Sequence, residues 1–279
     1  MPEVTPTSIQ ANLPTADSLL AAELAIPDFP HTLVISMSED KREKARDRRL
    51  SAVLNHAGCA TLNIAPPAYT HDGRSSGNRE SLSGIELRAE YLKAATHWAS
   101  QEMETQDLPV ALAGEGPAAA ACLRLAALHP QAVFAVIARS PRTDLVEEAL
   151  PQVTCPVLLA VGENDPIRLR LAEQATRALC CKHRLAVFAG VGLHFAEPEA
   201  WETYATLAAN WLLLEAPYRG SQAADSRRSL ILLGAPSNSI RSEEARRRRD
   251  WKRWTTSPAA SGPVLPRPRT ESSHEKRSS

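Results

Sequence analysis

A strand, a tight glycine turn and a helix follow one another in residues 108–123, and this unit constrains the fold more than any other stretch. The apolar run Leu108–Ala113 is typical of a buried strand. Gly114-Glu115-Gly116 interrupts the run, and glycine permits the backbone conformations that a sharp turn requires. The alanine-rich stretch after Pro117 then predicts a helix.

Other apolar runs alternate with helical patterns along the chain. Continuous apolar strands are typical of a sheet covered on both faces, and their alternation with helices predicts an α/β fold with a doubly wound, mostly parallel sheet. Ligands of such sheets bind at the carboxyl ends of the strands. The segment Leu19–Ile26 fits either a strand or a short helix. The remaining predicted strands are His31–Met37, Cys59–Ile64, Ala132–Ala138, Pro156–Val161 and Leu185–Phe188, and the helices are Glu39–Ala57, Ile85–Trp98, Ile167–Leu179 and Pro198–Leu214.

Composition and charge divide the chain into three parts. Residues 1–18 are polar and rich in Pro and Thr, which predicts a loose segment, and residues 19–216 form the predicted domain. Residues 217–279 are rich in Ser, Arg and Pro, with too little apolar surface to fold, which predicts a mostly disordered tail. The formal net charge is zero, but the tail carries 14 Lys and Arg against 6 Asp and Glu, whereas residues 1–216 carry 18 against 26.

The basic tail has one stretch that interleaves charge with aromatic rings, Arg246–Trp254. Such stretches bind phosphate backbones or anionic membrane surfaces, and the alternative is a solvated tail without a partner. The sequence therefore leaves open a weak anionic partner for residues 217–279.

Cysteine usage and the N-terminus bear on the compartment. The five cysteines lie mostly within apolar runs, without C-x-x-C spacing, which favours reduced thiols in a reducing compartment. The N-terminus lacks a signal-peptide pattern, and no apolar run approaches the ~20 residues of a membrane span. We therefore expect a cytoplasmic protein without a transmembrane segment. Neither metal-ligand spacing nor a phosphate-loop motif is present, so no cofactor or metal is expected.

Two polar side chains follow late predicted strands, where a hydrolytic site would need them. Asp165 follows the strand Pro156–Val161 and could orient a catalytic histidine, although an Asx turn or helix cap before Ile167 would use the same carboxylate. His194 lies in a glycine-containing loop after the last short strand. It could act as a general base, or it could be an ordinary surface histidine.

The nucleophile that such an acid and base would serve has no clear candidate. The tip of the glycine turn is Gly116, which has no side chain to attack a carbonyl. Glu115 and Ser140 are weaker alternatives, since the first lies beside the tip and the second precedes Pro141 in a loop. The loop after the first central strand, Ser36–Asp40, contains no glycine and ends in two carboxylates, which would oppose a developing oxyanion.

Taken together, these segments resemble the dienelactone-hydrolase-like branch of the α/β-hydrolase family, from about residue 20 to residue 214. The resemblance implies an α/β-hydrolase fold and ester or lactone hydrolysis as the ancestral activity. It places the family's triad acid on Asp165, its histidine on His194, its oxyanion loop on Ser36–Asp40 and the serine of G-x-S-x-G on Gly116. Relatives read more like G-x-x-H-x-F at the histidine, which would displace His194 by one residue. The matching segments are Leu54–Leu62, Asp107–Leu112, Gly162–Pro166 and Gly190–Pro198.

Three functions remain open on the sequence. The first is a catalytically impaired hydrolase-fold protein that binds a small-molecule ester or lactone with Gly116 as a vacant nucleophile position. The second is an active hydrolase with another arrangement around Asp165 and His194, such as a water activated by the histidine. The third is binding through the basic tail. The polar stretch Pro66–Leu82 could be a lid or an ordinary surface loop.

Overall fold

A computed structural model describes residues 7–15, 19–38, 41–66 and 82–216. None of the helices in these ranges combines the length and the hydrophobicity of a transmembrane span. The strands are β1 (Thr7–Pro14), β2 (Leu19–Ile26), β3 (Thr32–Met37), β4 (Cys59–Ala65), β5 (Val110–Glu115), β6 (Ala135–Arg139), β7 (Val157–Gly162) and β8 (His183–Phe188). The helices are α1 (Lys41–His56), α2 (Leu82–Ala99), α3 (Gly116–Leu128), α4 (Pro166–Ala178) and α5 (Pro198–Glu215), and short 3₁₀ turns span Thr143–Leu145 and Glu147–Gln152.

The strands form one sheet in the order β1-β2-β4-β3-β5-β6-β7-β8. Strands β3 to β8 are parallel, and β1 and β2 join one edge as an antiparallel hairpin. The chain passes from β3 outward to β4 and then returns to β5 on the other side of β3. This reversal is a topological switch point, and ligands of open α/β sheets bind beside the carboxyl ends of the strands there. The doubly wound, mostly parallel sheet predicted from the sequence is confirmed.

The N-terminal segment differs from the prediction. Residues 1–18 were expected to be loose, but Thr7–Pro14 form β1, which pairs along its length with β2. The pairing sets Leu13 opposite Leu20, and both side chains are fully buried. A polar strand is stable at an edge because its backbone is paired on one side while most side chains face water. The same pairing shows that Leu19–Ile26 is a strand and not a helix.

Helices cover both faces of the sheet. Helices α1 and α5 pack together on one face, over the side chains of Ala111, Ala113 and Ile137 from β5 and β6. Helices α2 and α3 pack against each other and the sheet on the opposite face. Burial on both faces explains the continuous apolar runs of β5, β6 and β7. Strand residues 111, 113 and 115 share one face, so Glu115 continues the α1–α5 face at the carboxyl edge.

Two segments singled out in the sequence lie largely or wholly outside the described residues. Of the stretch considered as a lid, residues 67–81 are not among them. The basic tail, residues 217–279, also lies outside the described ranges. The lid and the disordered tail therefore stay predictions.

Candidate active site

The glycine turn is a sharp strand-to-helix elbow at the switch point. Strand β5 ends at Glu115 and α3 begins at Gly116, whose φ of +52° lies in the left-handed region. A Cβ on Gly114 would stand 2.6 Å from the backbone nitrogen of Ala119, so the turn needs a residue without a side chain there. A Cβ on Gly116 would have no atom within 4 Å. The elbow thus has the strained strand-to-helix geometry that exposes a nucleophile, with an empty tip.

Glu115, beside the empty tip, lies among three basic side chains. Its Oε2 accepts a hydrogen bond from Arg139 Nη2 and lies 3.4 Å from Arg46 Nη2. Its Oε1 lies 3.6 Å from His194 Nδ1. The side chain of Glu115 is 16% exposed, so solvent screens these charges only in part. A single carboxylate therefore connects α1, β6 and the histidine loop.

Arg139 is the most buried member of this group, with 3% of its side chain exposed. Its guanidinium lies 4.7 Å from the ring centroid of Trp201, 5.5 Å from that of Phe195 and 5.7 Å from that of Tyr204. Burial raises the pKa of Tyr204, and the charge of Arg139 opposes that rise. Cation–π contacts and the bond to Glu115 together offset the desolvation of the guanidinium.

His194 lies on a loop whose backbone carbonyls accept hydrogen bonds from the side chains of other elements. Its own carbonyl accepts a hydrogen bond from Arg46 Nη1 at 3.1 Å, and Ser140 Oγ donates to the carbonyl of Leu193 at 3.1 Å. Phe195 follows in a left-handed conformation, φ +48°, which is strained for a side chain of this kind and is packed against neighbouring rings. The imidazole is 66% exposed. The loop is fixed, and the ring faces solvent beside Glu115.

Asp165 lies after β7, as predicted, but its contacts are those of a helix cap. Its Oδ1 accepts a hydrogen bond from the backbone nitrogen of Arg168 at 3.1 Å, at the N-terminus of α4. Its Oδ2 is buried without a hydrogen-bond partner. Among the described residues no hydrogen bond or ion pair joins Asp165 to His194. The structure shows the capping role, and the role of triad acid stays a prediction.

The serine hydroxyls among the remaining candidates already donate hydrogen bonds within the fold. Ser140 is fully buried, and its hydroxyl is already donated to the histidine loop. In the oxyanion loop, Ser38 Oγ donates to Asp47 Oδ2 at 2.5 Å, and Ser36 Oγ donates to Asn63 Oδ1 at 2.5 Å. Residues 39 and 40 of that loop lie outside the described ranges. Neither serine hydroxyl is presented as a free nucleophile.

Arg46 and Arg139 were not predicted as site residues from the sequence, and neither was an electrostatic role for Glu115. Arg139 carried a usable signal, because it ends an apolar strand at the carboxyl edge, where a charge is otherwise costly to bury. The sheet register pairs Glu115 with Arg139, which a prediction of neighbouring strands could have suggested. Arg46 gave no such signal, since it is one of many charges on α1.

The structure resembles solved hydrolases. A dienelactone hydrolase from Anabaena variabilis matches with a TM-score of 0.70 and 30% identity, over 76% of this chain and 100% of that chain. Est1E from Butyrivibrio proteoclasticus has a TM-score of 0.61 and 14% identity, over 74% of this chain and 98% of its own. The esterase domain of a Rhodothermus marinus protein has a TM-score of 0.60 and 16% identity, over 76% and 100%. The last two show the shared fold alone.

The curated relatives are longer than this chain, and their names do not describe a hydrolase. Proteins from two strains of Mycobacterium tuberculosis, each named as a phosphoribosyl transferase, are 33% identical over 198 residues. The match covers 70% of this chain and 43% of each relative, so this chain spans less than half their length. No family model matches the chain. The sheet order, the elbow and the 30% identity across the whole Anabaena enzyme lead to one conclusion: the chain belongs to the dienelactone-hydrolase-like branch of the α/β-hydrolase family.

Proposed function

We propose that this chain is a hydrolase-fold protein of ester- or lactone-hydrolysing ancestry whose hydrolysis is impaired. The observation that carries the proposal is the elbow, where Gly116 occupies the tip with a positive φ and open space above it. A glycine supplies neither the oxygen that attacks a carbonyl nor the atom that would hold an acyl intermediate. Loss of a triad nucleophile lowers kcat by about 10⁶ in a serine protease, which leaves turnover near background.

The charges around the tip support the same proposal. Glu115, directly before the vacant position, is a carboxylate, and negative charge close to a developing oxyanion would oppose the transition state. Its ion pairs with Arg139 and Arg46 hold it in place. The chain would then bind a small-molecule ester or lactone without turning it over efficiently.

A second candidate is an active hydrolase that uses water directly. His194 Nδ1 lies 3.6 Å from Glu115 Oε1, so the carboxylate could orient the imidazole in place of Asp165. The exposed ring would then present Nε2 to a water above Gly116, as a general base. This candidate requires activity in the unmodified chain that depends on both Glu115 and His194.

Restoring the missing side chain tests the first proposal. We expect the unmodified chain to hydrolyse short-chain aryl esters near the background rate and Gly116→Ser to raise kcat/KM at least tenfold. Gly116→Ala is the matched control, because it introduces the same backbone constraint without a hydroxyl. The gain should disappear when His194→Ala is added to Gly116→Ser.

The same assay separates the two candidates. Substantial turnover by the unmodified chain, lost in both Glu115→Gln and His194→Ala, would overturn impairment and favour the activated water. If Gly116→Ser is folded by circular dichroism and its kcat/KM is no higher than that of the unmodified chain, the empty tip alone does not explain the missing activity.

A further inference from the structure

The histidine loop, residues 189–197 between β8 and α5, is bonded to other parts of the protein although much of it faces solvent. Carbonyls of an exposed loop can be satisfied by water. Here every carbonyl from residue 190 to residue 194 accepts a hydrogen bond from a protein donor. In the order of those carbonyls, the donors are Asn164 Nδ2 (2.8 Å), Asn164 N (2.9 Å), Phe195 N (3.3 Å), Ser140 Oγ (3.1 Å) and Arg46 Nη1 (3.1 Å). The neighbouring elements therefore define the path of the loop backbone.

Two consecutive residues after β7 hold the first half of this loop. Asn164 donates through its side chain to the carbonyl of Gly190 at 2.8 Å and through its backbone to the carbonyl of Val191 at 2.9 Å. Glu163 Oε2 accepts from Gly190 N at 2.9 Å, and Glu163 N donates to the carbonyl of Phe188 at 2.9 Å. Both backbone polar groups of Gly190 are thus bonded to side chains of one turn, which fixes the direction in which the chain leaves β8.

Ser140 and Arg46 hold the second half of the loop, next to His194. Ser140 is fully buried, and its φ of +43° is unfavourable for a residue with a side chain. Its hydroxyl donates to the carbonyl of Leu193 at 3.1 Å. Arg46 donates to the carbonyl of His194 at 3.1 Å and lies 3.4 Å from Glu115 Oε2. One guanidinium therefore contacts both the loop backbone and the carboxylate that faces the imidazole.

This arrangement bears on which ring nitrogen of His194 carries the hydrogen. Nδ1 lies 3.6 Å from Glu115 Oε1, an electrostatic contact longer than a hydrogen bond. In the neutral ring, a lone pair on Nδ1 would point at negative charge, whereas an N–H there is attracted to it. The neighbours of an imidazole set its tautomer in this way. The geometry therefore favours the hydrogen on Nδ1 and leaves the lone pair on Nε2.

We propose that Ser140, Asn164 and Arg46 are positioning residues, which preorganise the histidine loop so that His194 keeps its hydrogen on Nδ1 and its lone pair on Nε2. The inference rests on the proposal that His194 belongs to the site. It adds that the site holds a base whose accepting atom is set before any ligand binds. Such an acceptor suits a ligand group that donates a hydrogen bond, such as a hydroxyl or a water.

The test is long-range ¹H–¹⁵N NMR of the full chain at a pH at which the imidazole is neutral, with His194→Gln to assign the signals. We expect the Nδ1–H form of His194 to predominate in the unmodified chain. In Ser140→Ala, Arg46→Met and Asn164→Ala, the ratio of the Nδ1–H to the Nε2–H form should fall at least threefold. Amide hydrogen exchange in residues 190–195 should become at least tenfold faster in the same three variants.

Thr143→Val is the matched control. Thr143 is also buried after β6, and its hydroxyl also donates to a backbone carbonyl, that of Leu171 in α4, at 3.0 Å. Loss of this bond is expected to lower stability and to leave both the His194 tautomer ratio and the exchange of the histidine loop unchanged. The control thus separates positioning of the loop from a general loss of stability.

Three results would overturn the proposal. They are a predominant Nε2–H form in the unmodified chain, folded variants with an unchanged tautomer ratio and unchanged exchange, and equal changes in Thr143→Val. If Ser140→Ala does not fold, Asn164→Ala carries the same test at an exposed position. None of these measurements requires turnover, so a failure here is distinguishable from a failure of the Gly116→Ser assay.

Discussion

Glu115 and Arg139 lie opposite each other on neighbouring strands, and their side chains form an ion pair. The arginine is buried among aromatic rings and is paired with the carboxylate, which stands directly before the vacant elbow tip. A buried pair of this kind contributes little net stability, but removal of one partner leaves an uncompensated charge. The residue next to the vacant nucleophile position is therefore constrained by the core.

Glu115→Ala should therefore destabilise the fold substantially. The variant leaves the Arg139 guanidinium buried without its carboxylate, and breaking a buried pair in this way costs about 3–5 kcal/mol. Urea unfolding followed by circular dichroism measures the change in the free energy of unfolding. Glu23→Ala is the matched control, because Glu23 pairs with an exposed Arg48 at 3.2 Å and should cost at most about 1 kcal/mol. Equal losses in the two variants would show that the Glu115 pair is not effectively buried.

At the scale of elements, the predicted helices and strands were recovered because each has its own periodic pattern and its own local stop signal. Gly58, for example, follows α1 with a φ of +81°, as the predicted helix end requires. Strand β1 was missed because its stability comes from pairing with β2, which its own polar residues do not reveal. Local sequence patterns therefore predict helices and buried strands well. They predict poorly a strand such as β1, whose stability depends on pairing with its neighbour.

Helix α4 offers a test of the two roles weighed for Asp165. As a cap, its Oδ1 accepts from Arg168 N, so Asp165→Ala should lower the free energy of unfolding by about 1 kcal/mol. Asp165→Ser should cost less, because serine also caps helices, and both variants are compared by urea unfolding. Similar losses in the two variants would indicate that the buried Oδ2, rather than the cap, carries the effect.

The assay of Gly116→Ser extends that test from stability to catalysis. If Asp165 orients His194, Asp165→Asn in the Gly116→Ser background should lower kcat at nearly unchanged KM, since asparagine keeps the cap but not the charge. If Glu115 orients the histidine, Asp165→Asn should leave kcat unchanged. The 3.6 Å separation between His194 and Glu115 favours the second result.

At the scale of the whole molecule, the sequence predicted which strand ends would meet, but not which side chains would bond. The elbow, Asp165 and His194 all lie at the carboxyl edge of the sheet, as the alternation of strands and helices implied. The pairing of His194 with Glu115 depends on how far a loop extends past β8 and on contacts from Arg46 of α1. Such long-range geometry has no local pattern in the sequence.

The uneven charge is a second property of the whole chain. Residues 1–216 carry an excess of acidic side chains, and residues 217–279 an excess of basic ones. A basic segment attached to an acidic domain can attract polyanions that the domain itself repels. Binding of a polyanion by the tail and cytoplasmic localisation both stay predictions, and the five free cysteines are compatible with a reducing compartment.

Binding to single-stranded oligonucleotides tests the tail in the full chain. Each arginine that neutralises a phosphate adds about −0.7 to the slope of log K against log salt. Replacing Arg246–Arg249 with glutamine should therefore flatten the slope by up to about 3 and weaken binding at low salt, as measured by fluorescence anisotropy. Trp251→Ala with Trp254→Ala is the matched control, because it removes stacking, worth about 1–3 kcal/mol per base, and keeps the slope. Affinity that is independent of salt, or unchanged without the four arginines, would show that the stretch is a solvated tail without a polyanion partner.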